Sequence, residues 1–125
     1  MKVFLSYARE DRDIAHQVAH ELRGTGHDVY PDAHWPQDIG AALGRADAFV
    51  VLLSPDAVGS PFINQEIKLA LVSKNLEESI VPVVLKRATQ VPWILQTMQP
   101  IKATPERLAK AIDMRIKKLR DRARQ

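Results

Sequence analysis

A chain of 125 residues is long enough to bury a core of its own without disulfide or metal staples, and it reads as a single domain spanning residues 1–125. Its 46% hydrophobic and 26% charged residues are those of a water-soluble globular domain. The absence of cysteine excludes disulfides, thiolate nucleophiles and thiolate metal sites, and no apolar run approaches the roughly 20 residues of a membrane helix. The net charge of +3 is unevenly placed: Arg115, Lys117, Lys118, Arg120, Arg122 and Arg124 against Asp121 alone give residues 115–125 a charge of +5 and leave −2 for residues 1–114. The pI of about 9.4 therefore reports one basic C-terminal helix end, not a basic face with base-stacking aromatics. Neither nucleic acid nor membrane is expected as a partner. Met1-Lys2-Val3-Phe4-Leu5-Ser6 lacks the apolar core of a signal peptide, so a cytoplasmic setting is expected.

Strand and helix patterns then alternate along the chain. Val3–Tyr7 is a short apolar strand. Asp11 can cap a helix in which Ile14, Val18 and Leu22 recur every four residues, ended by Gly24 and Gly26. Asp28–Tyr30 is a brief second strand cut by Pro31, and Pro31–Asp38 is a polar loop carrying Trp35, which reads equally as an exposed contact for a neighbour and as a ring folded onto its own domain. A short helix turns Ile39, Ala42 and Leu43 inward. Ala48–Leu53 is apolar throughout, as a buried parallel strand should be. The helix Pro61–Ser73 buries Ile63, Ile67, Ala70 and Leu71. Ile80–Leu85 is a fourth strand, Val91–Thr97 a short helix or a loop, and Pro100–Ala103 a weak last strand. Thr104-Pro105-Glu106 starts a final helix whose inward stripe is Leu108, Ile112, Ile116 and Leu119.

Such alternation with right-handed crossovers predicts an α/β fold: a flavodoxin-like, doubly wound, five-stranded parallel sheet of order 2-1-3-4-5 with helices on both faces. In that order the chain changes direction between strands 1 and 3, and ligands bind at their carboxyl ends. Those ends are the loops Ser6–Asp11 and Ser54–Phe62. Glu66 lies in the early turns of the helix that follows, with Phe62 one turn before it on the same stripe. No Lys or Arg stands three or four residues to either side of Glu66, so no local ion pair accounts for it. A carboxylate beside an aromatic at such a crevice suits chemistry on a sugar or a cation; the alternative is a solvent-facing helix glutamate.

Other motifs carry less. His16 and His20 have a zinc-compatible spacing, but Gln-Val-Ala between them lacks the glutamate of a metalloprotease motif, and both fall off the apolar stripe. They read as a solvated face, and no metal is expected. Gly24-Thr25-Gly26 follows a helix and is a stop rather than a phosphate loop. A response-regulator receiver shares the topology and would use acids such as Glu10 and Asp11 with Lys102. Its phospho-acceptor position at the end of strand 3 is Ser54, however, and Asp56 comes two residues late.

Four segments in order resemble one family. Val3-Phe4-Leu5-Ser6-Tyr7-Ala8, followed by an acid-rich loop, resembles the opening of a TIR (Toll/interleukin-1 receptor) domain. His27-Asp28-Val29-Tyr30-Pro31-Asp32 resembles its second strand and the start of its BB loop. Phe49–Pro55 resembles its third strand, and Ser60-Pro61-Phe62 with Glu66 its Ser-x-Trp-x-x-x-Glu signature. The resemblance is to the bacterial NAD-consuming type. It implies cleavage of NAD⁺ at the nicotinamide–ribose bond, giving nicotinamide and ADP-ribose or a cyclic variant, in a defence or cell-suicide pathway. NAD⁺ would be substrate, with no separate cofactor. Glu66 would be catalytic, and Ser6, Tyr7, Arg9, Ser54 and Phe62 would line the substrate crevice. Activity would follow self-assembly with other TIR domains through the loop carrying Asp32, Trp35 and Asp38, under a sensor domain or partner protein. Two alternatives stand beside it: a scaffold that signals by TIR–TIR assembly alone, and a nucleoside deoxyribosyltransferase-like enzyme, a related fold that also uses a glutamate on an N-glycosidic bond. The sequence departs from the family pattern in having Phe62 for the usual tryptophan and no glycine in Pro31–Asp38.

Overall fold

The computed structural model describes residues 1–123. Five parallel strands, β1 (Lys2–Ser6), β2 (Asp28–Tyr30), β3 (Ala48–Leu53), β4 (Ile80–Val84) and β5 (Ile101–Lys102), form one sheet in the order β2-β1-β3-β4-β5. The principal helices are α1 (Arg12–Gly24), α2 (Ile39–Arg45), α3 (Pro55–Val58), α4 (Pro61–Val72), α5 (Trp93–Gln96) and α6 (Leu108–Ala123). This is the topology expected from the alternation of patterns. The last two residues of the basic segment, Arg124 and Gln125, lie outside the described residues. Among the described residues no helix is long and apolar enough to cross a membrane.

The sheet divides the core in two. All six residues of β3 are fully buried, so both of its faces need cover. Against one face, Val3, Leu5, Val50 and Leu52 pack with Ala15, Val18 and Leu22 of α1 and with Leu108, Ile112 and Ile116 of α6. Against the other, Phe4, Phe49, Val51 and Leu53 pack with Ala42 and Leu43 of α2, Ala57 of α3, Ile63, Ile67 and Ala70 of α4, and Leu95 of α5. The alternation along β1 is strict: odd positions serve the first layer and even positions the second. The register Val3↔Ala48 to Ser6↔Val51 ends β1 two residues short of the end of β3 at Leu53.

Several sequence expectations change at this level. Leu71, expected inward on α4, is 37% exposed, because the inward stripe closes at Ala70 as the helix nears its end at Val72. The ambiguous stretch before the last strand contains a single helical turn, α5. Asp11 stands at the start of α1 but makes no side-chain cap there. It is buried and accepts a hydrogen bond from Ser54 instead. Thr104 likewise precedes a 3₁₀ turn, Pro105–Arg107, without capping it through its hydroxyl.

Of the two readings of Trp35, the structure agrees with the ring folded onto its own domain, for it is 5% exposed. Its indole Nε1 donates to Asp28 Oδ1 at 2.8 Å, and its ring meets Tyr30 edge-on at a centroid distance of 5.6 Å. Tyr30 in turn stacks on Phe4 at 4.2 Å. The loop is polar because it must cover this aromatic column with a water-facing surface, and Trp35 supplies the column's last ring. Replacing Trp35 with alanine should therefore cost about 3–5 kcal/mol in chemical denaturation, as for other buried aromatics. A loss below about 0.5 kcal/mol, usual for a surface side chain, would contradict this packing.

Candidate active-site cleft

The candidate site is assembled by the parity of β1. Ser6, an even position, turns toward the α4 layer, and its hydroxyl donates to Glu66 Oε1 at 2.8 Å, a buried bond spanning 60 residues of sequence. Tyr7, an odd position, turns toward α1, where its hydroxyl meets His16 Nε2 at 3.4 Å. Two consecutive residues thus reach both helical layers from the end of one strand.

Glu66 reaches this point because Ser60 starts α4 with a side-chain cap, its hydroxyl oxygen accepting from the Ile63 N–H at 3.3 Å, and Pro61 fits the first turn. The carboxylate, six residues past the cap, falls on the half of the helix that faces the sheet. It is 5% exposed, and among the described residues its hydrogen-bond partner is Ser6 alone. Burial raises its pKa above the ordinary 4.5, and the donated Ser6 hydrogen bond opposes that rise in part. The same carboxylate helps to raise the pKa values of Tyr7 and Tyr30, in both cases after burial as the larger cause.

A cleft of about 340 Å³ opens over these groups, lined by Ser6, Tyr7, Arg9, Phe62 and Glu66 from the sequence expectations, together with Arg12, His16, Tyr30 and Pro31. Its polar floor is the Ser6–Glu66 pair. Among the described residues Arg9 and Arg12 make no ion pair, so both guanidinium groups remain available at one rim. Phe62 is 60% exposed at the other. Phe62 and Glu66 also border a second hollow of about 380 Å³ between α4 and the start of α2, shared with Asp38 and Ile39.

The remaining expected residues sit elsewhere. Ser54 does not line the cleft. It is fully buried, accepts from the Ala57 N–H as the cap of α3, and donates to Asp11. Both its hydrogen-bonding capacities are consumed in tying the loop after β1 to the loop after β3. Asp32 is exposed and lies 3.8 Å from Arg23 Nε. Asp38 caps α2, accepting from the Ala41 N–H at 3.0 Å. Sequence reasoning missed Arg12, His16 and Tyr30. Arg12 opens the helix leaving the strand 1 loop, and Tyr30 ends the strand beside β1, so the predicted topology could have located both. His16, read as part of a solvated face, is exposed and stands over Tyr7.

The family model for the TIR domain matches residues 3–119. The chain belongs to the TIR domain family. Comparison with curated proteins gives no match. Among solved structures, the chain is similar to the TIR domain of the Toll-related receptor TRR-2 from Hydra magnipapillata, with a TM-score of 0.73 at 20% identity over 94% of this chain and 97% of that one. It is also similar to the CMP N-glycosidase BcmB of Clostridium botulinum, with a TM-score of 0.64 at 19% identity over 91% and 98% of the two chains. A diflavin flavoprotein A3 from Nostoc sp. gives 0.59 at 15% identity over 98% and 97%. At these identities the likeness is one of fold, and it agrees with the flavodoxin-like frame of this TIR domain.

The raised pKa of Glu66 carries a consequence for stability. The folded chain holds the Glu66 proton more tightly than the unfolded chain does. Ionising Glu66 therefore opposes folding as pH rises from about 4.5 through the raised value, and the penalty is absent below that window. Glu66→Gln, which can still accept from Ser6, should stabilise the protein at pH 7 by about 1 kcal/mol, a gain typical of neutralising a strained functional group. The advantage over wild type should narrow as the pH falls toward 4. Thermal melts of the two proteins at both pH values check this, and a lower Tm for Glu66→Gln at pH 7 would contradict it.

Proposed function

We propose that this TIR domain is an NAD⁺ glycohydrolase in which Glu66 is the catalytic carboxylate. The observation that carries the reading is the position of Glu66: buried, held by one hydroxyl, and set at the floor of a cleft rimmed by two unpaired arginines and an aromatic. A glutamate kept only for solubility would lie on the water side of α4.

The chemistry follows from these groups. Nicotinamide in NAD⁺ is a cationic leaving group, so its departure needs no strong general acid. As the N-glycosidic bond lengthens, positive charge builds on the ribose in an oxocarbenium-like transition state, and water bonds to C1′ as neutral nicotinamide leaves, releasing one proton to solvent. An ionised Glu66 beside the sugar stabilises that charge and accepts hydrogen bonds from ribose hydroxyls. Ser6 fixes the carboxylate's orientation before substrate arrives. Burial leaves the charge poorly solvated, which strengthens its interaction with a cationic transition state. Arg9 and Arg12 suit the pyrophosphate, as guanidinium groups bind phosphate oxygens in pairs. Phe62 offers a ring face for a substrate ring. The similarity of frame to a protein named as a CMP N-glycosidase supports the reading, since the same architecture accommodates cleavage of an N-glycosidic bond there. We place the activity in a bacterial defence or cell-suicide response triggered by self-assembly.

A second reading, a non-catalytic scaffold that assembles with other TIR domains, is favoured by a different observation. Phe62, Leu69 and Val72 expose 60%, 36% and 78% of their surface on α4, an apolar strip suited to a protein partner.

The two readings separate in one assay. The protein, fused to an oligomeriser, is incubated with NAD⁺ and nicotinamide release is followed. The enzyme reading expects release by wild type and a fall of at least about 100-fold in kcat for Glu66→Ala, the size of effect that follows loss of a transition-state charge partner. Because only the ionised carboxylate works, kcat/KM should fall on the acid side with a midpoint above 4.5, in line with the raised pKa. Equal rates for wild type and Glu66→Ala would refute the role of Glu66. No release under clustering would favour the scaffold, and base exchange from supplied deoxynucleosides would favour a transferase.

A further inference from the structure

A second cleft, of about 610 Å³, lies at the carboxyl ends of β4 and β5, two strands away from Glu66. The register Val84↔Lys102 sets these two strand ends side by side. The chain leaving β4 then folds back in a turn in which the Thr89 N–H donates to the Lys86 carbonyl at 3.1 Å. The turn brings Lys86, Arg87 and Thr89 over the end of β5, facing Lys102 and Thr104. The ionisable residues bordering the cleft are Lys86, Arg87 and Lys102; no carboxylate borders it, and among the described residues none of the three cations makes an ion pair. The domain outside the C-terminal segment carries a net charge of −2, so three unneutralised cations around one hollow run against the local trend.

The hydroxyls at this cleft supply an independent observation. Thr89 Oγ1 is buried and, among the described residues, is the buried side-chain polar atom left without a hydrogen-bond partner. Buried hydroxyls in folded proteins nearly always have a partner, so this one is left to bond a water or a ligand oxygen at the hollow. Thr104, also bordering the cleft, makes no side-chain cap for the turn it precedes. From Thr104 the chain enters Pro105–Arg107, whose turn carries both Glu106 and Arg107, and then α6.

We propose that this cleft binds a small phosphate-bearing molecule, with Lys86, Arg87 and Lys102 neutralising its charge and Thr89 donating its hydroxyl to a phosphate oxygen. The site is separate from the Glu66 cleft, and the proposal does not depend on the NAD⁺ reading. Anionic oxygens satisfy the orphan hydroxyl and the cations together, which neither a neutral sugar nor an apolar ligand does.

Titration of inorganic pyrophosphate into isotope-labelled protein, followed by backbone amide shifts, tests it. The expected result is saturable shifts centred on Lys86–Thr89 and Lys102–Thr104. Both Lys102→Gln and Thr89→Val should raise the apparent Kd about tenfold, the loss usual for one charge-assisted contact. Glu66→Gln should leave that Kd unchanged. Thr89→Val removes an unsatisfied polar atom at nearly constant shape, so its Tm should match or exceed wild type, and weaker binding then reports the lost hydroxyl rather than unfolding. Shifts confined to Ser6, Tyr7 and Arg9, with none at Lys86–Thr89 or Lys102–Thr104, would assign pyrophosphate to the Glu66 cleft alone and overturn the proposal. Non-saturating shifts spread along α6, an unchanged Kd in Thr89→Val, or binding here of a single-stranded oligonucleotide but not of pyrophosphate would overturn it equally.

Discussion

Six consecutive buried residues, Ala48–Leu53, impose the architecture. A strand with no water-facing side cannot sit in a two-layer structure, so helices must cover both faces of the sheet. Parallel strands reached by right-handed crossovers then put α1 and α6 on one face and α2, α4 and α5 on the other. This arrangement obliges the chain to change direction between β1 and β3, and the loops leaving those strands diverge there. The hollow between them is a product of covering β3 on both sides. It exists before any side chain is chosen to line it.

What fills that hollow is held by polar bonds of long sequence separation. Ser6 reaches Glu66 across 60 residues, and Ser54 reaches Asp11 across 43. Each joins the first strand's end to a segment following the third, from opposite directions. Each carboxylate accepts from one serine hydroxyl, but Ser54 also caps α3, so that pair is built into the packing of the two loops. Ser6 and Glu66 border the cleft, and Ser54 and Asp11 do not. Access to the cleft distinguishes the strut from the carboxylate open to a ligand.

The frame of the molecule was legible in the sequence because it rests on local periodicity. Ala48–Leu53 is unbroken and apolar, α1 repeats Ile14, Val18 and Leu22, and α6 repeats Leu108, Ile112 and Ile116. Glu66 could be singled out because it lacked a local partner. Its actual partner could not be read, since no local pattern links position 6 to position 66. Trp35 stayed open between two readings because a polar neighbourhood describes the outer surface of a loop and says nothing of the one side chain tucked beneath it. Ser54 misled for a related reason: a hydroxyl at the carboxyl end of a strand suits a ligand, a helix cap or a buried carboxylate equally, and only the packing of α3 decides. His16 lies off the apolar stripe of α1, and that stripe identifies the face turned to the core without showing what the flank overlooks.

The two-residue repeat of an extended strand ties core and chemistry to a single count. Val3 and Leu5 fill one layer, Phe4 the other, and Ser6 and Tyr7 continue the same alternation into the cleft. A one-residue slip of the whole of β1 would turn Val3 and Leu5 toward the α4 layer and Phe4 toward α1. In the same stroke the hydroxyl under α4 would give way to Leu5 or to the Tyr7 phenol, according to the direction of the slip. No such slip can spare the hollow while harming the interior, or the reverse, so the chain cannot fold out of frame in β1 and still present an intact carboxylate seat.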